Sequence, residues 1–394
     1  MPEAKAGVVP ELRFPKFRDA GPWEVKRLGE LINTVAPPKK LQTTEYLPGG
    51  QFPIIDQSPS EVCGWTDDET ALVEADFPLV IFGDHTCVVK LAEGPFAQGA
   101  DGIKILAPSS EIEARFLFLS LQADPIEQKG YKRHFSTLKE KLIPFPRKDT
   151  GEQQKIVDCL GSLDDLIRAE EGRLAALRAH KTGLMQRLFP APGQTPPRLR
   201  FPEFRHAGPW EVKRLGDRGI ARFIRDRVAA EDVPSGHYVS TVNLLPDFGG
   251  LSPEPEKPPP GSAIAYREGD ILMSNIRPYL RKVWVADRTG GASNDVLVAR
   301  LGKSVVKSFL SQLLMSERFI SHVMDGAKGV KMPRGDLEQI QDFAVPLPAK
   351  PEQQKIADCL TALDDLIRAQ GKTIEALKAH KTGLMQQLFP REVG

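Results

Sequence analysis

The chain carries one long segment twice. EQQKIVDCLGSLDDLIRAE begins at Glu152 and EQQKIADCLTALDDLIRAQ at Glu352, and the likeness runs without a gap to Pro190 and Pro390, identical at 28 of 39 positions. A shorter motif precedes each copy: PELRFPKFRDAGPWEVKRLGE from Pro10 and PRLRFPEFRHAGPWEVKRLGD from Pro197, identical at 17 of 21 positions. Repetition at this level decides architecture before any single residue does. The sequence parses into a tail (1–9), a first body (10–149), a first long segment (150–190), a linker (191–196), a second body (197–349), a second long segment (350–390) and a tail (391–394). The interiors of the two bodies show no obvious likeness. Shared ends with different middles imply a common frame that serves two different recognition tasks.

The long segment reads as a helix. Ile156, Leu160, Leu163, Ile167, Leu174, Leu177, Leu184 and Leu188 follow a four-three spacing, repeated as Ile356, Leu360, Leu363, Ile367, Ile374, Leu377, Leu384 and Leu388. This is a continuous apolar seam, interrupted only at Glu170 and Lys181 and again at Gln370 and Lys381. Thr150 with Gln153 has capping-box spacing, Pro351 suits a first helical turn, and Pro190 and Pro390 end the segments. About 38 residues make a rod of roughly 57 Å, whose seam needs a partner. Charge selects the direction. Glu152–Glu171 holds six acids and two bases, whereas 172–190 holds four bases and no acid, and the second copy follows the same gradient. Antiparallel pairing sets acidic halves against basic halves and suits each helix dipole. The expected fold is α+β: two globular bodies joined by two long antiparallel, coiled-coil-like helices with pseudo-twofold symmetry.

The paired acids in LDDLI (Asp164 and Asp165, Asp364 and Asp365) flank the seam about 100° apart, so a solvated or partner-facing helix edge is the preferred reading over a catalytic dyad. Gly302-Lys303-Ser304 imitates the end of a phosphate loop, but Leu297 stands where the first glycine is needed. No dinucleotide-type glycine turn occurs, and Glu127 with Lys129 is only half of a nuclease pattern. In FGDHT, Asp84 and His85 follow an apolar run and are read as shaping a strand end. No catalytic or metal site is expected. Cys63, Cys87, Cys159 and Cys359 form no CxxC pair, which fits a reducing compartment, and no signal or membrane segment is evident, so a cytoplasmic location is expected.

With 53 Lys and Arg against 52 Asp and Glu, overall charge argues nothing about polyanions. Local clusters do. KGYKRHF supplies Lys129, Tyr131, Lys132, Arg133 and His134; NIRPYLRK supplies Arg277, Tyr279, Arg281 and Lys282; KGVKMPR supplies Lys328, Lys331 and Arg334. Each mixes cations with an aromatic or a turn residue, as phosphate and base-edge contacts require, so these are the candidate DNA-binding residues.

EQQKIADCLTALDDLI with LKAHKTGLMQQLFP, the entry motif LRFPEF and WEVKRLGD, and GDILMSNIRPYLRKVWVAD with SNDVLVARL closely resemble the DNA-specificity subunits of type I restriction-modification systems. The likeness covers nearly the whole chain and includes the repeat order. It implies two target-recognition domains, each reading one half of a split double-stranded DNA target, with the helices acting as ruler and as platform for two modification (methyltransferase) subunits. It further implies that the chain itself binds no cofactor. S-adenosylmethionine would sit on the modification subunits, and ATP with Mg on restriction subunits joining the complex. The competing readings are a nuclease-like enzyme acting through Asp84 and His85 or Glu127 and Lys129, and a protein-only scaffold.

Overall fold

A computed structural model of the protein describes residues 7–100, 102–130, 132–327 and 332–390. Each repeated block is one unbroken helix, Glu152–Leu188 and Lys350–Leu388. The chain divides into two compact units that do not follow the order of the sequence. One contains the chain up to Gly172 together with the chain from Lys372, and the other contains Arg173–Gly371. Each unit therefore pairs the first half of one long helix with the second half of the other.

In the first unit the strands are β1 (Glu24–Arg27), β2 (Ile32–Val35), β3 (Phe52–Ile55), β4 (Gly64–Thr66), β5 (Leu79–Gly83), β6 (Val89–Ala92), β7 (Ala97–Gln98), β8 (Ile103–Pro108) and β9 (Leu142–Phe145). An antiparallel sheet runs β2-β8-β5-β6, a smaller one β4-β3-β7 with β3 and β7 parallel, and β1 pairs β9. The second unit holds β10 (Glu211–Arg214), β11 (Ala221–Phe223), β12 (Arg227–Ala229), β13 (Tyr238–Val239), β14 (Ser262–Tyr266), β15 (Ile271–Ser274), β16 (Val283–Val285), β17 (Gly290–Ala292), β18 (Val296–Leu301) and β19 (Ala344–Leu347). Its sheets run β11-β18-β15-β16 and β12-β14-β17-β13, and β10 pairs β19. The main sheets thus share one order, and in both small sheets an early strand lies parallel to a late one (β3 with β7, β13 with β17). Two bodies without visible sequence likeness share the order of the main sheet, while their small sheets differ, three strands in the first and four in the second. The protein is a two-domain α+β chain.

The helix ends belong to the domain cores. In the first unit, buried Ile156, Val157 and Leu160 share a cluster with Leu388 and Phe389 and with Trp23, Phe116, Leu117 and Phe145 of the domain. In the second, Ile356, Ala357 and Leu360 join Leu188, Phe189, Trp210 and Phe309. The aromatic packing repeats as well: Phe116 to Phe389 and Phe189 to Phe309 both lie 5.3 Å apart at 48°. Burying each such side chain contributes about 1.5–3 kcal/mol, so the seam is stabilised chiefly at its ends. Towards the middle Leu163, Leu174, Leu177, Leu184, Leu363, Ile367, Leu377 and Leu384 are half-buried, while Ile167, Ile374 and Gln370 are buried.

Ion pairs run between the antiparallel helices within each unit. Lys381 reaches Asp164 at 2.6 Å and Lys378 reaches Glu171 at 2.7 Å in the first; Lys181 reaches Asp364 at 2.6 Å in the second. The neighbouring Asp165 and Asp365 pair with Arg168 and Arg368 one turn along their own helices. The LDDLI acids are helix-edge charges, as their spacing suggested.

One expectation is corrected. Gln153 does not complete a capping box with Thr150. Its side-chain amide donates to the Pro146 and Glu111 carbonyls and accepts from Glu113 N–H, docking the helix to the domain. Gln353 does the same with the Pro348 carbonyl and Val306 N–H. Beside it Glu152 receives a two-pronged bond from Arg13 at 2.7 Å, and Glu352 receives one from Arg200 at 2.6 and 2.7 Å. Both guanidinium pKa values are held above the ordinary range, first by these hydrogen bonds. The repeated Arg of LRFP and the repeated Glu-Gln of EQQKI are thus one clasp, invisible to helix periodicity because 139 and 152 residues separate its halves.

Candidate nucleic-acid interface

In each domain the central strand of the main sheet, β5 or β15, is entirely buried and delivers the chain to a loop at its carboxyl end. In the first unit that loop is Asp84–Thr86. Asp84 is 3% exposed, and its Oδ1 accepts from His134 N–H (2.9 Å) and Phe135 N–H (2.8 Å), capping the short helix Phe135–Glu140. The His134 ring lies inside this turn, only 2% exposed. Its Nε2 accepts from Lys129 N–H at 3.1 Å, which leaves Nδ1 to donate to the Asp84 carbonyl at 3.1 Å. Gln128 donates to the His85 carbonyl at 2.9 Å. The residues of FGDHT therefore hold the segment KGYKRHF against the strand end.

This arrangement sorts the predicted contacts. His134 is a buried turn-former, and the reading of it as a DNA contact is corrected: its ring is spent on the Lys129 and Asp84 main chain. Lys132 and Arg133 are exposed; Arg133 approaches Asp84 Oδ2 only at 4.0 Å with its side chain 79% exposed. Lys129 is exposed beside Glu127. Tyr131 lies outside the described residues.

The second unit repeats the construction with different residues. After β15, the Asn275 carbonyl accepts from Gly335 N–H (3.1 Å), as the Asp84 carbonyl accepts from His134 N–H (2.8 Å). Ile276 bridges Arg334, and Arg277 N–H donates to the Pro333 carbonyl at 2.8 Å, so NIRPYLRK meets the described end of KGVKMPR, Pro333-Arg334. Asp336 supplies the cap for the helix Leu337–Gln341 that Asp84 supplies in the first unit. Arg277 and Tyr279 are exposed, with no side-chain partner for Arg277 among the described residues. Three other cations are committed to neighbours. Arg281 bonds Asp247 (Nε, 2.8 Å) and Glu317 (2.5 Å), Lys282 donates to the Thr241 carbonyl at 2.7 Å, and Arg334 pairs Asp295 at 2.7 Å. The bond to Asp247, followed by that to Glu317, raises the Arg281 pKa. Lys328 and Lys331 lie outside the described residues.

Sequence patterns missed the backbone. Non-glycine residues with positive φ are Cys87, Asp247, Phe248, Arg277 and Arg281 among the described residues, and every one sits in or against the loops that follow β5 and β15. Left-handed conformations cost free energy and persist where surrounding contacts enforce them, commonly at functional loops. Here Asp247 N–H and Phe248 N–H donate to the Leu280 and Arg281 carbonyls, bracing the arginine loop from outside. Glycines 249 and 250 hint at a turn, but nothing in the sequence links it to Arg281.

The two sites are alike in architecture and unlike in side chains. Lys132 and Arg133 are exposed on the segment held against the β5 loop, and Arg277 with the aromatic Tyr279 on the loop that follows β15. Such loops can contact phosphates and base edges while differing in what they read.

The chain is similar to known proteins along its length. The chain is 23% identical over 418 residues to the type I restriction enzyme MjaVIII specificity subunit of Methanocaldococcus jannaschii, with 94% of this chain and 93% of that protein covered. It is 27% identical over 189 residues to the HindI specificity subunit of Haemophilus influenzae, covering 46% of this chain and 40% of that one. Among solved structures, the type I restriction-modification S subunit from M. genitalium aligns over 98% of this chain and all of that one, with TM-score 0.59 and 16% identity. The family of the type I restriction modification DNA specificity domain matches residues 21–179 and 268–379, well over half the chain, and the protein belongs to that family.

Proposed function

We propose that the protein is the non-catalytic, sequence-reading subunit of a type I restriction-modification complex. Its two domains each read one half of a bipartite double-stranded DNA target, and the long helices set the unread spacer between the halves. The observation that carries this reading is the repeated site: one main-sheet order places exposed basic side chains beside the carboxyl end of β5 and again at that of β15, on different segments and with different residues. One frame with two readers is what a two-part asymmetric target needs.

The repeated helices are the proposed platform for two copies of a modification subunit. The exposed residues Asp165, Leu166 and Arg168 of the first unit recur as Asp365, Leu366 and Arg368 of the second, so each unit offers the same helix-surface residues. S-adenosylmethionine would be bound by those partners, and ATP with Mg by restriction subunits. The proposed role calls for a cytoplasmic location, where the DNA and the partner subunits would be met.

Methylome sequencing of cells expressing the chain with its modification subunit tests the proposal. The expected result is adenine methylation in a two-part motif with an unread gap. An ungapped motif, or none, refutes it. Inserting four residues near Gly172 should lengthen the gap by about one to two base pairs, given about 6 Å per inserted turn and 3.4 Å per base-pair step, with both half-sites unchanged.

A further inference from the structure

The two copies of the entry motif differ at one main-chain edge. In the first unit Val8 lies antiparallel to Trp23: Trp23 N–H donates to the Val8 carbonyl at 2.7 Å and Val8 N–H to the Trp23 carbonyl at 3.3 Å. Val8, flanked by Gly7 and Val9, thus straps Trp23, the residue just before β1, in a single two-bond bridge. Trp210 occupies the same place in the second unit, before β10, and is just as deeply buried, at 3% exposure against 1% for Trp23. Its main-chain N–H and C=O have no hydrogen-bond partner among the described residues. The chain leading to it, Gln194-Thr195-Pro196, forms no bridge there.

A groove of about 550 Å³ lies at this position, lined by Pro209, Trp210, Lys213, Ser304 and Lys350 among others. Buried main-chain donors and acceptors are almost always paired, so an open edge beside a groove calls for a strand. The first unit shows the chemistry such a strand needs. Any Cβ on Gly7 would stand 2.6 Å from Pro22 and 2.9 Å from the Trp23 carbonyl oxygen, so only glycine fits the first position. Small β-branched residues follow. The groove also favours an acid: Glu352 is taken by Arg200 and Glu211 by Lys213, which leaves Lys350 exposed and without an ion-pair partner among the described residues.

We propose that the Trp210 edge is a docking site for an extended Gly-Val-Val-like segment of a partner protein, followed by an acidic residue, which bridges Trp210 just before β10 as Val8 bridges Trp23 just before β1. Pairing of this kind takes its affinity from main-chain bonds and its selectivity from the side-chain positions. The inference is independent of the DNA reading, since no residue of the groove belongs to the β15 loop.

The probe is a fluorescein-labelled peptide AKAGVVPEL, the sequence of residues 4–12, titrated into the full-length chain and followed by anisotropy. The expected result is saturable one-to-one binding. N-methylation of the first valine amide, which removes one main-chain bond, should weaken it about fivefold. The graft Gln194→Gly/Thr195→Val/Pro196→Val, which gives the chain its own strap, should abolish it. Absence of saturable binding overturns the proposal, as does binding that N-methylation leaves unchanged. Should the graft fail to fold, as judged by its circular dichroism, the N-methyl comparison alone decides.

Discussion

Lys381 Nζ stands 2.6 Å from Asp164 Oδ1, and Lys181 Nζ stands 2.6 Å from Asp364 Oδ1. The bonds are reciprocal: each long helix gives its lysine to the aspartate of the other. Both lysines are among the residues that interrupt the apolar seam. A double-mutant cycle of Asp164→Ala and Lys381→Ala, read by urea unfolding, should therefore show a favourable coupling of about 0.5–1 kcal/mol, the range for part-exposed pairs. The Asp165 and Arg168 pair, exposed on both sides, should show less. Zero coupling for Lys381 and Asp164 would mean the bridge does not hold the helices in register.

The clasp between domain and helix is more deeply buried, with Arg13 and Glu152 side chains 7% and 1% exposed. Glu152→Ala leaves the guanidinium without its carboxylate, and breaking a buried pair from one side costs about 3–5 kcal/mol. The first unit should then melt at a distinctly lower temperature, and Glu352→Ala should do the same for the second through Arg200. A calorimetric transition unchanged by either substitution would show that the clasp contributes nothing.

Burial separates two histidine and arginine roles in the candidate interface. His134→Ala removes a ring that bonds both Lys129 N–H and the Asp84 carbonyl, and should cost about 1–3 kcal/mol of stability. Arg277→Ala should leave stability within about 0.5 kcal/mol while weakening DNA binding by the assembled complex and lowering its salt slope by about one. The reverse pattern would exchange their roles.

Burial pushes the Cys63 thiol up to about 11, and its Sγ donates to the Ile54 carbonyl at 3.1 Å. The neutral thiol is favoured in the fold. Stability from this group is present below the unfolded thiol's value of about 9 and is lost as the pH rises through about 11. At pH 8 Cys63 should react with iodoacetamide far more slowly in the folded chain than in urea, as peptide mass spectrometry would read. Equal rates would contradict its burial.

Much of the frame was legible in the sequence because helices announce themselves locally. The four-three seam and the acid-to-base gradient contain helix length, partner and direction within forty residues, and the packing of Leu388 against Ile156 and Leu160 follows from them. The family resemblance rested on the same local strings. Base-facing residues were less legible. Lysines and arginines cluster in a sequence whether or not they are free, and only the fold shows Arg281 bound to Asp247 and Glu317, Arg334 to Asp295, and His134 turned inward.

What the sequence determined by itself is the duplicated plan: two bodies, two long helices and their opposed polarity, all fixed by short-range periodicity and charge. Tertiary structure alone decided the rest. It gave the main sheets of both bodies one strand order despite their different residues, because topology depends on which buried strands pair and not on their identities. It joined Arg13 to Glu152 across 139 residues. It also left Trp210 without the strap that covers Trp23, since the chain at Gln194-Thr195-Pro196 forms no bridge where Gly7-Val8-Val9 does.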